Sequence, residues 1–229
     1  MDWNDFSNWQ HRLWDNPSDV AEQIGSVTTN NNTATLEHFG NQIDIGYKTV
    51  RSVDIIAPVV QKKGLKCKWE FNKGHYSVQV KIKEFEKDFW AAPLWFLTES
   101  TTEIMPEIDV CEAYYGVKKN HSAIFKALGI PSKWWIKTKR LESNLHFGKG
   151  YGSNTHYKEG NINHNRFNRF DFDEFINYEM IWERDLDIFY NGEHVRRIRD
   201  FRQSSNIIPV ISIATKGILE VKDFKYESI

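Results

Sequence analysis

Apolar and polar residues alternate with a period of two over much of this chain, in short runs separated by turn residues. The runs are "KTVRSVDIIAPVV", "LKCKWEF", "HYSVQVKIKEF", "APLWFL", "EIDVCEAYY", "YEMIWE", "LDIFYNGEHVRRI", "VISIAT" and "ILEVKDFKY". Side chains on a strand point to opposite faces in turn, so each run reads as a strand with one buried face. Long helical periodicity is almost absent, and the best helical stretch is the short "HSAIFKALG" from His121 to Gly129, closed by Gly129 and Pro131. The pattern predicts an all-β fold of antiparallel strands, a sandwich or a barrel. Asn191-Gly192 supplies the two positive-φ positions of a type I′ hairpin, and Lys73-Gly74 marks a second turn. Residues 116 to 170, rich in Asn, Gly, Lys and His, read as long loops on one rim. No internal repeat or break in composition divides the chain, so residues 1–229 form one domain.

One run breaks the alternation. In "PEIDVCEAYYG" Glu107 and Asp109 share a face, but Glu112 lies five residues from Glu107, an odd step that points it at the core. An ionised glutamate in an apolar core is costly without a partner. One extra residue near Val110-Cys111, a β-bulge, returns Glu112 to the face of Glu107. Four effective steps then separate the two Glu backbones by roughly 13 Å, and two long side chains leaning together close to about 5–6 Å, the spacing of a retaining glycosidase. That chemistry needs one ionised carboxylate to attack the anomeric carbon and one carboxylic acid to protonate the leaving oxygen. A third acid between them can hydrogen-bond the nucleophile. The alternative is a solvated acidic strand, but exposed strands normally mix charges with other polar residues, and this one is preceded by "APLWFL" and continues into "AYY".

Composition narrows the classes. Lys plus Arg total 30 against 31 for Asp plus Glu, so no global field attracts nucleic acid or an anionic membrane. Nine Trp and 14% aromatic residues exceed the usual demand of one core, which leaves rings for stacking on a ligand as well as for packing. The two cysteines, Cys67 and Cys111, make neither a disulfide framework nor a zinc site, and are expected to be buried free thiols. His146 and His156 have no carboxylate in register for a metal, and "HFGKGYGSNTH" lacks the spacing of a phosphate loop. The start, "MDWNDFSNWQHRLWDN", has no apolar h-region and no run approaches eighteen apolar residues, so the expectation is a soluble chain whose export signal, if it has one, is not in this sequence.

"EIDVCE" resembles the ExDxxE signature of glycoside hydrolase family 16. "GHYSVQVKIK" is similar to that family's G-x-x-E-x-R-x-K strand, "WAAPLWFL" to its W-P-A-x-W-L-L strand, and "NLHFG" to the histidine strand after the catalytic one. "NYEMIWERDLDIFYNGEHVRRI" resembles its Y-x-x-x-W-x-x-x-x-I-x-F-Y-x-D-G hairpin, and "ILEVKDFKY" its closing V-D-Y-V-R-V-Y strand. The resemblance runs in order from about Val50 to Tyr226. It implies a concanavalin A-like β-jelly roll of two antiparallel sheets with a concave cleft, and a retaining endo-glycosidase that is secreted or extracellular. Glu107 would be the nucleophile, Asp109 its helper and Glu112 the acid/base. Trp95, Trp182 and His146 match cleft positions of the family. Tyr114 and the rim "PSKWWIKTKR", with Trp134 and Trp135, are the further substrate-binding candidates.

The chain departs from the family at Ser77 or Val78, where the G-x-x-E glutamate would stand, at Pro93, which is shifted, and at Asn191. Lys222 stands where the family often has an Asp, which weakens its structural calcium site; no other cofactor is expected. The expected partner is a polysaccharide, bound by a monomer: a β-1,3- or mixed-linkage glucan first, a galactan such as agar, carrageenan or porphyran second. A non-catalytic carbohydrate-binding or adhesion module on the same fold is the alternative, and binders of this kind usually lose one of the two glutamates that this chain retains.

Overall fold

The computed structural model describes residues 5–12, 22–45, 48–58, 71–86, 88–98, 107–119, 135–147, 157–158, 162–163, 171–201 and 206–229. Its strands are β1 (Gln10–Arg12), β2 (Gly25–Thr29), β3 (Thr33–His38), β4 (Ile43–Ile45), β5 (Lys48–Val50), β6 (Val53–Ile56), β7 (Gly74–Lys83), β8 (Phe89–Thr98) and β9 (Glu107–Lys119). They continue with β10 (Trp135–Phe147), β11 (Tyr157–Lys158), β12 (Ile162–Asn163), β13 (Ile176–Trp182), β14 (Leu186–Tyr190), β15 (Glu193–Ile198), β16 (Ile207–Ile213) and β17 (Gly217–Ser228). An eight-stranded sheet runs β1-β6-β16-β8-β9-β10-β11 with β12 also on β10, and a seven-stranded sheet runs β15-β14-β13-β7-β17-β3-β2. All pairings between them are antiparallel, and the two sheets form a β-jelly-roll sandwich.

Strict alternation builds the seven-stranded sheet. Tyr76, Val78, Val80 and Ile82 of β7 are buried while the residues between them are half-exposed, and β13 and β14 repeat the pattern. The opposing face comes from β8, β9 and β16, with Phe96, Ile108, Val110, Cys111 and Ile211 fully buried. Tyr76 joins the two layers by packing on Phe96 at 4.9 Å, and stacks on Tyr226 of its own sheet at 4.7 Å. The Tyr190 hydroxyl crosses the core to the Val110 carbonyl at 2.8 Å, which ties the middle of β9 to the opposite sheet. Cys111 is a buried free thiol beside Tyr190 and Tyr178, and burial pushes its ionisation well up. Cys67 lies outside the described residues.

The Asn191-Gly192 turn has φ of 48° and 75°, as the type I′ hairpin requires. The expectation of loops throughout residues 116–170 is corrected in part. β9 continues to Lys119, β10 occupies 135–147, and the two pair from His146↔Glu107 to Trp135↔Lys119. Cross-strand pairing overrides the polar composition there, because a long ladder satisfies backbone groups whatever the outward side chains are. The expected helix at His121–Gly129 lies outside the described residues.

Candidate active site

β9 sits at the centre of the eight-stranded sheet, between β8 and β10. Against β10, Asn144 pairs with Asp109 and Glu142 with Glu112, so three steps on β9 meet two on β10. β9 therefore carries one extra residue at Val110-Cys111, where the parity of the sequence demanded it. Both bulge residues turn inward: Val110 is fully buried and the Cys111 thiol meets Tyr178 and Tyr190. Glu112 emerges on the face of Asp109. The neighbouring strand compensates, since Ala91↔Ala113, Leu94↔Cys111 and Trp95↔Asp109 leave an extra residue in β8 around Pro93, and a bulge tolerates a proline that cannot donate to the ladder.

The outer face of this sheet thus gathers Glu107, Asp109, Glu112 and Tyr114 from β9, Trp90 and Trp95 from β8, Glu142 and Asn144 from β10, and Ser212 from β16. Glu107 is half-buried, while Asp109, Glu112 and Glu142 are 3%, 9% and 6% exposed. Glu112 is held from three sides. Its Oε1 accepts from Trp90 Nε1 at 3.1 Å and from the Tyr114 hydroxyl at 2.8 Å, and its Oε2 accepts from Asn144 Nδ2. Burial, then the nearby carboxylates of Glu112 and Glu142, push the Tyr114 phenol far up, so it stays a donor. Trp95 is buried to 5% and its Nε1 donates to Ser212 Oγ at 2.8 Å, which fixes the ring beside Asp109.

Of the residues expected to contact substrate, Tyr114 and Trp95 stand on this face. The backbone of His146 pairs with Glu107 and that of Trp135 lies at the far end of β10; Trp134 is outside the described residues. Trp182 is corrected. It belongs to β13 in the other sheet, is 0% exposed, packs on Phe201 at 5.5 Å and directs Nε1 to the Phe201 carbonyl, so it is a core ring that no sugar can reach. Trp90, Glu142 and Asn144 were missed. Each owes its place to strand register, which no local pattern in "DFWAAPLWFL" or "LESNLHFG" displays.

At Lys222, the position where the family it resembles often has an Asp, Nζ stands 4.0 Å over the Phe175 ring, with Lys81 Nζ 5.9 Å from the same ring. Among the described residues no group of three His, Cys, Asp or Glu is placed to hold a metal, and no helix is long and apolar enough to cross a membrane.

No family model and no curated protein sequence matches the chain. Solved structures do match over its length. A Bacteroides ovatus mixed-linkage glucan enzyme of glycoside hydrolase family 16, in complex with a G4G4G3G product, is similar at TM-score 0.57 and 14% identity, covering 99% of this chain and 98% of its own. The kappa-carrageenase of Pseudoalteromonas carrageenovora, in complex with a carrageenan oligosaccharide, gives TM-score 0.57 and 12% identity over 99% and 93%. The laminarinase catalytic domain of Thermotoga maritima gives 0.52 and 14% over 98% and 93%. From end to end, the chain has the β-jelly-roll fold of glycoside hydrolase family 16 enzymes.

Proposed function

We propose that this protein is a retaining endo-glycosidase acting on a polysaccharide. The observation that carries the reading is the bulge at Val110-Cys111, which puts Glu107, Asp109 and Glu112 on one face and leaves Glu112 largely desolvated among oriented donors. In the first step Glu107 attacks the anomeric carbon, the glycosidic C–O bond breaks, and the proton of the Glu112 carboxylic acid passes to the leaving oxygen. In the second, Glu112 takes a proton from water, the water oxygen bonds to the anomeric carbon, and Glu107 leaves. Asp109, between them on the strand, tunes the charge and position of the nucleophile. Trp95 and Tyr114 offer apolar faces to the C–H groups of a sugar ring.

The substrate is a β-linked glucan or, second, a galactan of the agar or carrageenan type. The similar structures include enzymes on both, so fold does not choose between them. Release of reducing ends from laminarin, mixed-linkage glucan, agarose, carrageenan and porphyran makes the choice. Binding to one of these with no release would overturn the enzyme reading in favour of a binding module. The roles are tested with azide and an activated substrate: Glu107→Ala should be rescued with inverted product, and Glu112→Ala with retained product. Swapped outcomes would reverse the two assignments.

A further inference from the structure

We propose that Trp90, Tyr114 and Asn144 are positioning residues for Glu112, fixing Oε1 as a pure acceptor and leaving Oε2 as the oxygen that carries the transferred proton. The inference rests on the reading of Glu112 as acid/base.

The count of lone pairs makes the argument. Each carboxyl oxygen has two acceptor positions. Oε1 uses both, on the Trp90 indole N–H and the Tyr114 hydroxyl, while Oε2 uses one, on the Asn144 amide. The vacant position on Oε2 is where a proton can reside without displacing a donor. Three strands supply the three donors, so the orientation of Glu112 is set by the sheet itself: Trp90 from β8, Tyr114 from β9 and Asn144 from β10.

Asn144 shows that the arrangement is not there for stability. It is 4% exposed, and among the described residues its Oδ1 has no hydrogen-bond donor. A buried amide with an orphan carbonyl costs folding free energy. An apolar residue at this strand position would remove the orphan carbonyl, but would leave Oε2 without the contact that holds it. The bulge brings Asn144, whose backbone partner is Asp109, within reach of Glu112 as well. Trp90 is distinguished in the same way: its ring is half-exposed, 6.4 Å from Tyr114, and its N–H serves the carboxylate rather than the backbone.

The test compares leaving groups. For whichever polysaccharide the wild-type chain cleaves, kcat/KM is measured on the polymer and on the 2,4-dinitrophenyl glycoside of its oligosaccharide, in Tyr114→Phe, Trp90→Phe and Asn144→Ala. Dinitrophenolate leaves with little protonation, so it reads the site without its acid function. Each variant should lose about tenfold more on the polymer than on the aryl glycoside. Asn144→Ala should do so while remaining folded at the assay temperature. Equal losses on both substrates, or a fall in melting temperature that accounts for the loss, would overturn the inference. Tyr114→Phe preserves the ring and carries the test should either of the others fail to fold. Glu112→Ala, run beside them, separates this result from the underlying reading: if that variant shows no leaving-group dependence, Glu112 is not the acid/base at all.

Discussion

On the outer face of the eight-stranded sheet Asp54, Asp109, Glu112, Glu142, Asn144 and Ser212 are each less than a tenth exposed. On the outer face of the seven-stranded sheet the polar residues keep their water: His75 and Glu179 are 38% and 18% exposed, and Lys83 and Glu220 36% and 33%. The second face pairs carboxylates with basic side chains across neighbouring strands, at 3.1 Å for His75–Glu179 and 2.5 Å for Lys83–Glu220. The first sets like against like, with Glu142 directly opposite Glu112 in the ladder. Alternation puts polar residues on both faces, but only the first removes them from solvent, and there it surrounds Glu112 with neutral donors. A face selected for solubility would not do this, because desolvated carboxylates cost stability that solvated pairs do not. The difference between the two faces marks the first as the candidate site.

Substituting one glutamate on each face breaks the comparison most sharply. Glu112→Gln should reduce polysaccharide cleavage at least about a thousandfold with the fold intact. Glu179→Gln, on the other sheet, should stay within about twofold in activity and change stability by less than about 1 kcal/mol. Reducing-end assays with a circular dichroism melt check both. Comparable losses from the two would mean that the desolvated face is not the site.

Between the sheets lies the third environment, and Trp182 tests it. Fully buried and packed on Phe201, its replacement by Ala should cost about 3–5 kcal/mol in urea unfolding, with the affinity of the folded protein for polysaccharide unchanged. A loss of affinity at wild-type stability would restore Trp182 to the cleft.

Trp182 also shows how far the sequence can be read. In "NYEMIWE" the residues Tyr178, Met180 and Trp182 share a parity, and all three are buried. The alternation was legible, but which of two faces is the cleft is a property of sheet order, and sheet order is non-local. The bulge was legible for the opposite reason: Glu107 and Glu112 lie on one strand, and an odd step between two acids has one inexpensive resolution. Trp90, Glu142 and Asn144 came from neither argument. Trp90 joins Tyr114, and Asn144 joins Asp109, by register between strands that are 24 and 35 positions apart in sequence. The hairpin at Asn191-Gly192 needed only local chemistry, so it could be placed to the residue.

A buried neutral group sharpens the contrast through pH. His38 is 2% exposed; its Nδ1 accepts from the Gly40 N–H at 2.9 Å, so its Nε2–H donates to the Arg51 carbonyl at 2.9 Å. Desolvation lowers its ionisation below the usual 6.5, against a smaller opposing effect of that carbonyl. The unfolded chain then binds a proton that the native state refuses, so this contribution to stability is present above pH 6.5 and lost as pH falls toward the lowered native value. His38→Asn should be about 1–3 kcal/mol less stable at pH 7.5, and the gap should narrow at pH 5.5. A gap independent of pH would mean that the native and unfolded chains bind this proton equally, so that the Gly40 contact does not hold His38 neutral.

The smallest effect is expected on the solvated face, at Asp187. Its Oδ1 accepts from Arg197 Nε at 2.7 Å and from His194 Nε2 at 2.6 Å, and its Oδ2 from an Arg197 terminal nitrogen at 3.1 Å. Partial burial raises the ionisation of this carboxyl, but the hydrogen bonds and charges of Arg197 and His194 outweigh it, and the native value lies below 3.8. A depressed carboxylate stabilises the fold above its unfolded value and stops doing so as pH falls through the native one. Asp187→Asn should therefore cost less than about 1 kcal/mol at pH 7, and less again in 1 M salt, because Arg197 is half-exposed and solvent screens the pair. Below pH 3.8 the difference between variant and wild type should shrink, and it should vanish once the pH is below the lowered native value. Urea midpoints at pH 7 in low and high salt, and at pH 3, measure it. A cost of several kcal/mol that salt does not reduce would place Asp187 in the same desolvated class as Glu112, and the distinction between the two faces would then rest on position alone.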